Sequence, residues 1–321
     1  MDSQKAPSVA VVSPVYNGEE YLVEMMDSVQ AQTWPNLVHL VVENASTDGT
    51  AAILERYTNC RVPVVIVRNK ELLPQRENWN HALRSLPKST DWFRLLCADD
   101  TMTPDAVEKM VTLGESDRRI GVVGSDHLVN NRRQPGYWPA DRSVFEGKEA
   151  IALSLGPQTA IIKAPHVLVR SEVIKSTEAF YTDHAIAFDT DAILRTLLDW
   201  KWGYVHEYLA MFREHETTVT STQVQAKNSI LNDWLKFLMA YGDAAFGADA
   251  NAKTKKRYQR HYFWRLLRAR LHDAPSEQWR FHMTALAEMG MRPGAMEFVD
   301  AAFDRLLIKL KARPNWLRYP W

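Results

Sequence analysis

Along roughly the first 120 residues, short apolar runs alternate with segments whose apolar residues recur every three or four positions. The runs SVAVVSPVY (8–16), LVHLVVEN (37–44), VPVVIVRN (62–69) and DWFRLLCADD (91–100) are rich in β-branched and aliphatic side chains and predict buried strands. Between them, Tyr21, Leu22, Met25, Met26 and Val29 share one helical face. ASTDGTAAILERY opens with Ser, Thr and Asp, which favour a helix start, and Thr103-Pro104 places a cap and a first-turn proline before AVEKMVTLGE. ENWNHALRSL predicts a further helix. Strand–helix alternation of this kind builds a mostly parallel sheet covered by helices on both faces, an α/β architecture.

After Ile120 the alternation loosens. IGVVGSDHLV reads as a strand, RRQPGYWPADRSVFEG as a turn-rich loop, and GKEAIALSLG as a short helix. APHVLVRSEVI reads as a strand leading to a helix, FDTDAILRTLLDW as a helix and WGYVHEYLAMFREH as a strand. From about Gln225 the pattern is helical throughout, with Ile230, Leu231, Trp234, Leu235, Leu238 and Tyr241 forming one stripe. The expected organisation is an α/β domain over 1–222, in two parts at about 1–110 and about 111–222, and an all-helical extension over 223–321.

In a parallel α/β sheet, ligands bind beyond the carboxyl ends of the strands. Pro14 to Tyr16, Glu43-Asn44 and Asp99-Asp100 all stand at such ends and are expected to converge. A carboxylate group of this kind suits a hard divalent cation that also holds substrate phosphates. Neither G-x-x-x-x-G-K-[ST] nor G-x-G-x-x-G follows the first strand, which argues against a P-loop and against a dinucleotide dehydrogenase. Adjacent acids before a turn also serve as helix caps, so the pair carries meaning through its neighbours at the sheet edge.

Composition narrows the class. Apolar residues make up 46% and charged residues 24%, as in ordinary globular proteins. Lysine plus arginine (39) balance aspartate plus glutamate (39), so no overall field draws the chain to nucleic acid. Two cysteines, Cys60 and Cys97, suit a reducing compartment, and no signal pattern or membrane-length apolar run occurs, so a cytoplasmic protein is expected.

The stretch VAVVSPVYNGEEYLVEMMDSVQAQTWPNLVHLVVENASTDGT resembles the opening of the family 2 glycosyltransferases. Their pattern is a strand, P-x-Y-N-x-E, a helix ending S-x-x-x-Q-T, and a strand leading into G-S-T-D-G-T. The likeness continues through NWNHAL and LLCADDTMTPD, extends to FDTDAILRTLL and LAMFREHETTVTS, and covers roughly residues 8–222. It implies a GT-A fold, with a nucleotide-binding half over about 1–110 and an acceptor-binding half over about 111–222, and inverting transfer of a sugar from a nucleotide diphosphosugar, a UDP-sugar foremost, to an acceptor hydroxyl. It also implies Mn²⁺ or Mg²⁺ as cofactor, and a saccharide or lipid-linked saccharide acceptor in bacterial cell-surface polysaccharide or glycolipid synthesis.

Carried over by position, the resemblance makes Pro14 and Tyr16 a wall for the nucleobase, with Glu19 closing the same pattern. Glu43 and Asn44 stand where aspartates often read the base. Asn80 is a polar position near the nucleotide, with Asn78 its rival. Asp99 matches the metal- and ribose-binding acid of D-x-D, and Asp100 follows it. Cys97 stands where the first acid of that motif belongs, and a neutral thiol is a poor ligand for such ions. Asp189, ahead of Arg195, matches the catalytic base, Asp191 is its rival, and Phe188 replaces the usual preceding glutamate. His215 is a candidate metal or phosphate ligand, and His184 a candidate for shaping the acceptor site. Inverting transfer needs such a base to take the proton of the attacking hydroxyl.

KTKKRYQRHYFWRLLRARLH has no acid from Lys253 to His272 and interleaves Tyr258, Tyr262, Phe263 and Trp264. Helix packing through the aromatic face, peripheral contact with an anionic membrane surface, and self-association compete for it. No nucleic-acid recognition motif accompanies it. Two rival functions remain. Cys97 and Phe188 favour a non-catalytic GT-A module that binds a nucleotide sugar or a partner enzyme, whereas a nucleotidyltransferase would need a glycine-rich basic first loop that SPVYNGEEYL lacks.

Overall fold

A computed structural model describes residues 6–156, 160–162, 164, 166–175, 177–216, 218, 227–272 and 274–310, with the side chains of 308–310 left aside. The chain forms two compact units. The first comprises Met1–Ala150, Ile161–Thr182 and Phe188–Arg213, and the second Ile151–Ala160, Asp183–Ala187 and Glu214–Trp321.

The first unit is built on a mixed sheet. Strands β1 (Val9–Val15), β2 (Leu37–Glu43), β3 (Val64–Arg68) and β4 (Trp92–Leu95) are parallel, in the order β3-β2-β1-β4. Their connections run through α1 (Leu22–Gln30), α2 (Thr50–Leu54) and α3 (Gln75–Arg84). β5 (Thr101–Met102) and α4 (Ala106–Glu115) lead to β6 (Ile120–Val129), which hairpins with β7 (Arg132–Gln134). Then follow β8 (Val144–Phe145), α5 (Gly147–Leu155), β9 (Leu168–Arg170), α6 (Phe188–Thr196) and β10 (Lys201–Phe212).

β9 lies antiparallel between β4 and β6, and β6 runs parallel to β10. One sheet thus continues across residue 110. The segment 132–147, expected as loop, contributes β7 and β8: both are short, and neither shows an alternating pattern long enough to register in the sequence. The segment after β9 makes one turn of 3-10 helix, Ser171–Ile174, in place of a longer helix.

The sheet is a core element because every residue of β1 is buried. α1 buries Leu22, Met25, Met26 and Val29 against it, and α4 buries Val107, Met110 and Val111. Gly114 lets α4 approach Trp92: a Cβ there would stand 2.6 Å from the indole ring. That indole is fully buried, donates to Glu115 Oε1 at 2.8 Å, and carries the Arg170 guanidinium 4.2 Å above its centre.

The second unit is mainly helical: α7 (Ile230–Phe246), α8 (Ala248–Leu271), α9 (Ser276–Glu288) and α10 (Ala295–Leu310). Gly247, at φ 78°, turns the chain between α7 and α8, a left-handed conformation that favours glycine. Of the aromatic residues of α8, Tyr258, Tyr262 and Phe263 are buried, so this face packs inside the unit. The expected boundary at 222/223 and the closing segment 311–321 lie outside the described residues.

Candidate functional site

Parallel pairing sets the carboxyl ends of β1, β2 and β4 side by side: Val15 is opposite Glu43, and Val12 opposite Leu95. Pro14 is buried within β1, whereas Tyr16 is exposed at its end. The loops after β1 and β2 then lace together. Asn17, at φ 48°, donates its amide to Ser46 Oγ (3.0 Å), and its side-chain oxygen accepts from Thr47 N (2.9 Å). Glu19 N donates to Asp48 Oδ2 (3.0 Å), and Glu19 Oε2 accepts from Gly49 N (2.9 Å). Burial pushes the Asp48 carboxyl up, but hydrogen bonds from Thr50 and from the Glu19 amide outweigh it and hold the group below its ordinary range. The Y-N-x-E and S-T-D-G-T signatures are therefore one interlocked pair of turns, which fixes the rim beside Tyr16.

Glu43 and Asn44 are both buried beneath this rim. Glu43 Oε1 accepts from Ser46 N at 2.5 Å. Asn44 Nδ2 donates to Leu73 O (2.9 Å), while its Oδ1 accepts from Leu73 N (3.0 Å) and Asn69 Nδ2 (2.7 Å). Asn69 also donates to Asn78 Oδ1 at 2.9 Å. These amides tie the loop between β3 and α3 to the end of β2.

Asn80 makes a reciprocal clamp on the backbone of Tyr181, donating to its carbonyl at 2.8 Å and accepting from its amide at 3.0 Å. The ring of Tyr181 packs edge-on against Trp79, Phe180 and Phe188. Phe188 therefore replaces a polar side chain with a member of an aromatic cluster. Burial, then the nearby charges of Asp189 and Cys97, push the Tyr181 hydroxyl well above its ordinary pKa. Tyr181 is thus the bridge between the start of α6 and the end of β4, and Asp189 lines a small recess with Phe93, Leu95 and Tyr181.

The two aspartates of α6 diverge. Asp189 is half-buried in the first turn and accepts from Thr190 N at 2.7 Å. Asp191 is fully buried, pairs with Arg195 at 3.1 Å and accepts from Thr182 Oγ1 at 3.2 Å.

Beyond β4, Asp100 N donates to Cys97 O at 3.2 Å and closes a four-residue turn. Ligand atoms of Cys97, Asp99 and Asp100 all lie within 4.8 Å of one another. Asp100 is fully buried. Its Oδ1 accepts from Arg213 N (2.9 Å), and its Oδ2 lies 3.3 Å from His166 Nε2. Arg213 also pairs with Glu24 (2.6 Å) and covers the ring of Tyr21. Arg94, wholly buried in β4, is lowered to about 10 by burial, with the Asp100 charge opposing the shift. Asp100 is thereby a counter-charge for Arg94, while Asp99, like Cys97 and Ala98, is half-buried. The set fits a hard cation through its carboxylate oxygens, with Cys97 its soft member.

His215 falls in the second unit, where its carbonyl accepts from Thr218 N at 3.1 Å; a part in metal or phosphate binding rests on the resemblance alone. His184 is in the same unit, edge-on to Tyr241. Sequence reading passed over His166, Arg94 and Tyr181. No motif marks a lone histidine or a buried strand arginine, and Tyr181 becomes meaningful only beside Asp189. A larger cavity, about 330 Å³, lies by the other end of β4, lined by Leu83, Arg84, Pro87, Lys88, Ser171 and Phe180, and none of the acids above borders it.

Comparison with known proteins agrees with this geometry. The family model described as "Glycosyl transferase family 2" matches residues 10–177. A glycosyltransferase of Rickettsia typhi is 24% identical over 235 residues, covering 73% of this chain and 72% of its own. With several other curated relatives the match covers less than half of their length. Among solved structures, S. aureus TarS 1-349 in complex with UDP-GlcNAc superposes with a TM-score of 0.65 at 15% identity, over 92% of this chain and 81% of that one. The mannosyltransferase PcManGT of Pyrobaculum calidifontis, in complex with GDP-Man and Mn²⁺, gives 0.56 at 15% identity, over 94% and 88%. At that identity the likeness establishes the GT-A fold.

Proposed function

The chain belongs to glycosyl transferase family 2, and from that membership we propose an inverting transfer of a sugar from a nucleoside diphosphosugar to an acceptor hydroxyl, with Asp189 as general base. The observation that carries this reading is the placement of Asp189: half-buried, lining a recess with Tyr181, which also senses Cys97 at the end of β4. Asp191, sealed in its pair with Arg195, is unsuited to exchange a proton with substrate.

In this mechanism the nucleotide lies over the rim made by Tyr16, Glu19 and the loop anchored by Glu43 and Asn44, with Pro14 buried at the end of β1. Asn80 acts through Tyr181, holding the wall beside the base. Asp189 takes the acceptor proton as the oxygen attacks the anomeric carbon, and the bond to the diphosphate breaks on the opposite face. Asp99, with Asp100, would hold Mn²⁺ or Mg²⁺, which neutralises the departing diphosphate when bound. A UDP-sugar is the first donor to test, since the TarS complex holds UDP-GlcNAc.

The acceptor class, a saccharide or lipid-linked saccharide of surface polysaccharide or glycolipid assembly, is taken from the resemblance. Peripheral contact with an anionic membrane surface is assigned to the second unit. There α8 has no acid from Lys253 to His272, and α10 exposes Met296, Val299, Phe303 and Leu306 at helical spacing. Among the described residues, no helix is long and apolar enough to cross a membrane.

The test is calorimetric titration of UDP and GDP with and without Mn²⁺, followed by hydrolysis of a panel of nucleotide sugars. Metal-dependent nucleotide binding with turnover lost in Asp189→Asn is expected, and absence of binding by every nucleotide would overturn the reading. Cys97 and Phe188 favour a second reading, a non-catalytic nucleotide-sugar module. Metal-dependent binding with no turnover by the wild type on any donor would establish it instead.

A further inference from the structure

We propose that His166 is a positioning residue for the acidic turn: it fixes the Asp100 carboxylate and, through the turn, the direction of Asp99. The inference rests on the reading of residues 97–100 as the metal- and diphosphate-facing turn.

The turn is one closed unit, with Asp100 N bonded to Cys97 O at 3.2 Å, so Asp99 lies inside it and is directly followed by Asp100. Its direction therefore depends on how firmly Asp100 is held. Arg213 N donates to Asp100 Oδ1 at 2.9 Å, and the His166 imidazole faces the other oxygen, with Nε2 3.3 Å from Oδ2, within ion-pair distance. Turning the carboxylate breaks the Arg213 bond and carries Oδ2 away from the imidazole.

His166 is itself immobilised. It is 3% exposed, its ring is stacked on His127 (6.3 Å between centres, 9° between planes), and Phe212 meets it edge-on at 5.8 Å. His127 and Phe212 belong to β6 and β10, paired in the far half of the sheet. His166 thus joins the turn after β4 to a part of the sheet that the parallel β1–β4 half does not reach. The arrangement is that of an outer-shell partner, which orients a ligand without touching the metal or substrate. Arg94 is buried in β4, and Asp100 is its counter-charge, while His166 faces the carboxylate from the other half of the sheet.

A merely space-filling role predicts that a ring of similar size restores everything. The full-length chain is therefore compared as His166→Phe, His166→Gln and His166→Ala. Mn²⁺ affinity is read in the presence of UDP by the electron paramagnetic resonance signal of free Mn²⁺, with Tm measured alongside. Phe keeps the stacking surface but has no donor, whereas Gln keeps a donor for the carboxylate. His166→Phe is expected to weaken Mn²⁺ binding by roughly tenfold or more, the usual scale for an outer-shell partner. His166→Gln is expected to retain most of the affinity, and kcat at saturating Mn²⁺ should follow the same order. If His166→Ala does not fold, the Phe and Gln pair decides. A Phe variant with wild-type Mn²⁺ affinity, or Phe and Gln variants that fall equally, overturns the role. Wild-type protein that binds neither Mn²⁺ nor UDP overturns the reading of the turn itself, and with it this inference.

Discussion

At the scale of single residues, the two aspartates of α6 stand in different surroundings. Asp189 faces a recess, and Asp191 is sealed in an ion pair. Asp189→Asn should lower kcat by about 10² or more while leaving UDP affinity and Tm near wild type, because an amide cannot accept the proton. Asp191→Asn should act through the fold. It leaves Arg195 without its carboxylate partner, and breaking a buried pair costs about 3 kcal/mol. Because Arg195 is partly exposed, the loss should be somewhat smaller. Urea denaturation of both variants, set beside initial rates, checks the division. A large kcat loss in folded Asp191→Asn with none in Asp189→Asn would reverse the assignment. The sequence offered both residues because the first turn of any helix favours acids. Burial, which depends on Thr182 and Arg195, distinguishes them.

At the scale of elements, Asn44 shows how a strand end organises a loop. Its side chain makes three hydrogen bonds to Leu73 and Asn69, between β3 and α3. Asn44→Ala should cost about 2–3 kcal/mol, since buried backbone and amide groups lose their partners. It should also weaken UDP binding by loosening the loop beside the rim. Chemical denaturation and UDP titration measure the two effects, and unchanged stability would show that the clamp is dispensable. The parallel β1–β4 half was legible from residues alone, because long apolar runs and capped helices set their own period. The rest of the sheet was less so. β5, β7 and β8 are two or three residues long and pair antiparallel, and β9 runs antiparallel beside β4. Their pairing is decided by partners distant in sequence, which no local pattern encodes. The same limit hid His166, whose meaning depends on Asp100, His127 and Phe212 arriving from three other segments.

At the scale of the whole molecule, two properties are distributed over the units. The first is acid sensitivity. Burial lowers His39, in the first unit, to about 3, and lowers His261 and His282, in the second, to about 4. His282 stays neutral between the Tyr262 hydroxyl (2.6 Å) and the Lys227 carbonyl (2.9 Å). In the unfolded chain these groups take up protons near pH 6.5, whereas in the folded state they do so only near 3 to 4. The unfolded state therefore binds more protons across that window, and the stability present above it is lost as pH falls. Scanning calorimetry should show Tm declining from about pH 6.5 towards 4, with a shallower decline in His282→Gln. A Tm flat to pH 4.5 would contradict the burial of these rings. The second property is charge placement. Acids and bases balance over the chain, so attraction to an anionic surface must come from local segregation. In the second unit, α8 packs its aromatic face inward and carries Lys253, Lys256, Arg260, Arg268 and Arg270 exposed. α10, which meets α8 through the Arg260–Asp304 pair (3.4 Å), exposes Met296, Val299, Phe303 and Leu306, each more than half accessible. Basic residues with a nearby apolar stripe favour attachment that needs anionic headgroups and then buries side chains at the interface. Sedimentation with phosphatidylglycerol-containing vesicles should capture the protein at low salt and release most of it at high salt, while purely zwitterionic vesicles should leave it in solution. The double variant Phe303→Ser, Leu306→Ser should weaken capture by about tenfold or more, since each buried apolar side chain contributes about 1.5–3 kcal/mol. Equal capture by neutral vesicles, or capture untouched by the double variant, would instead assign the surface to another partner.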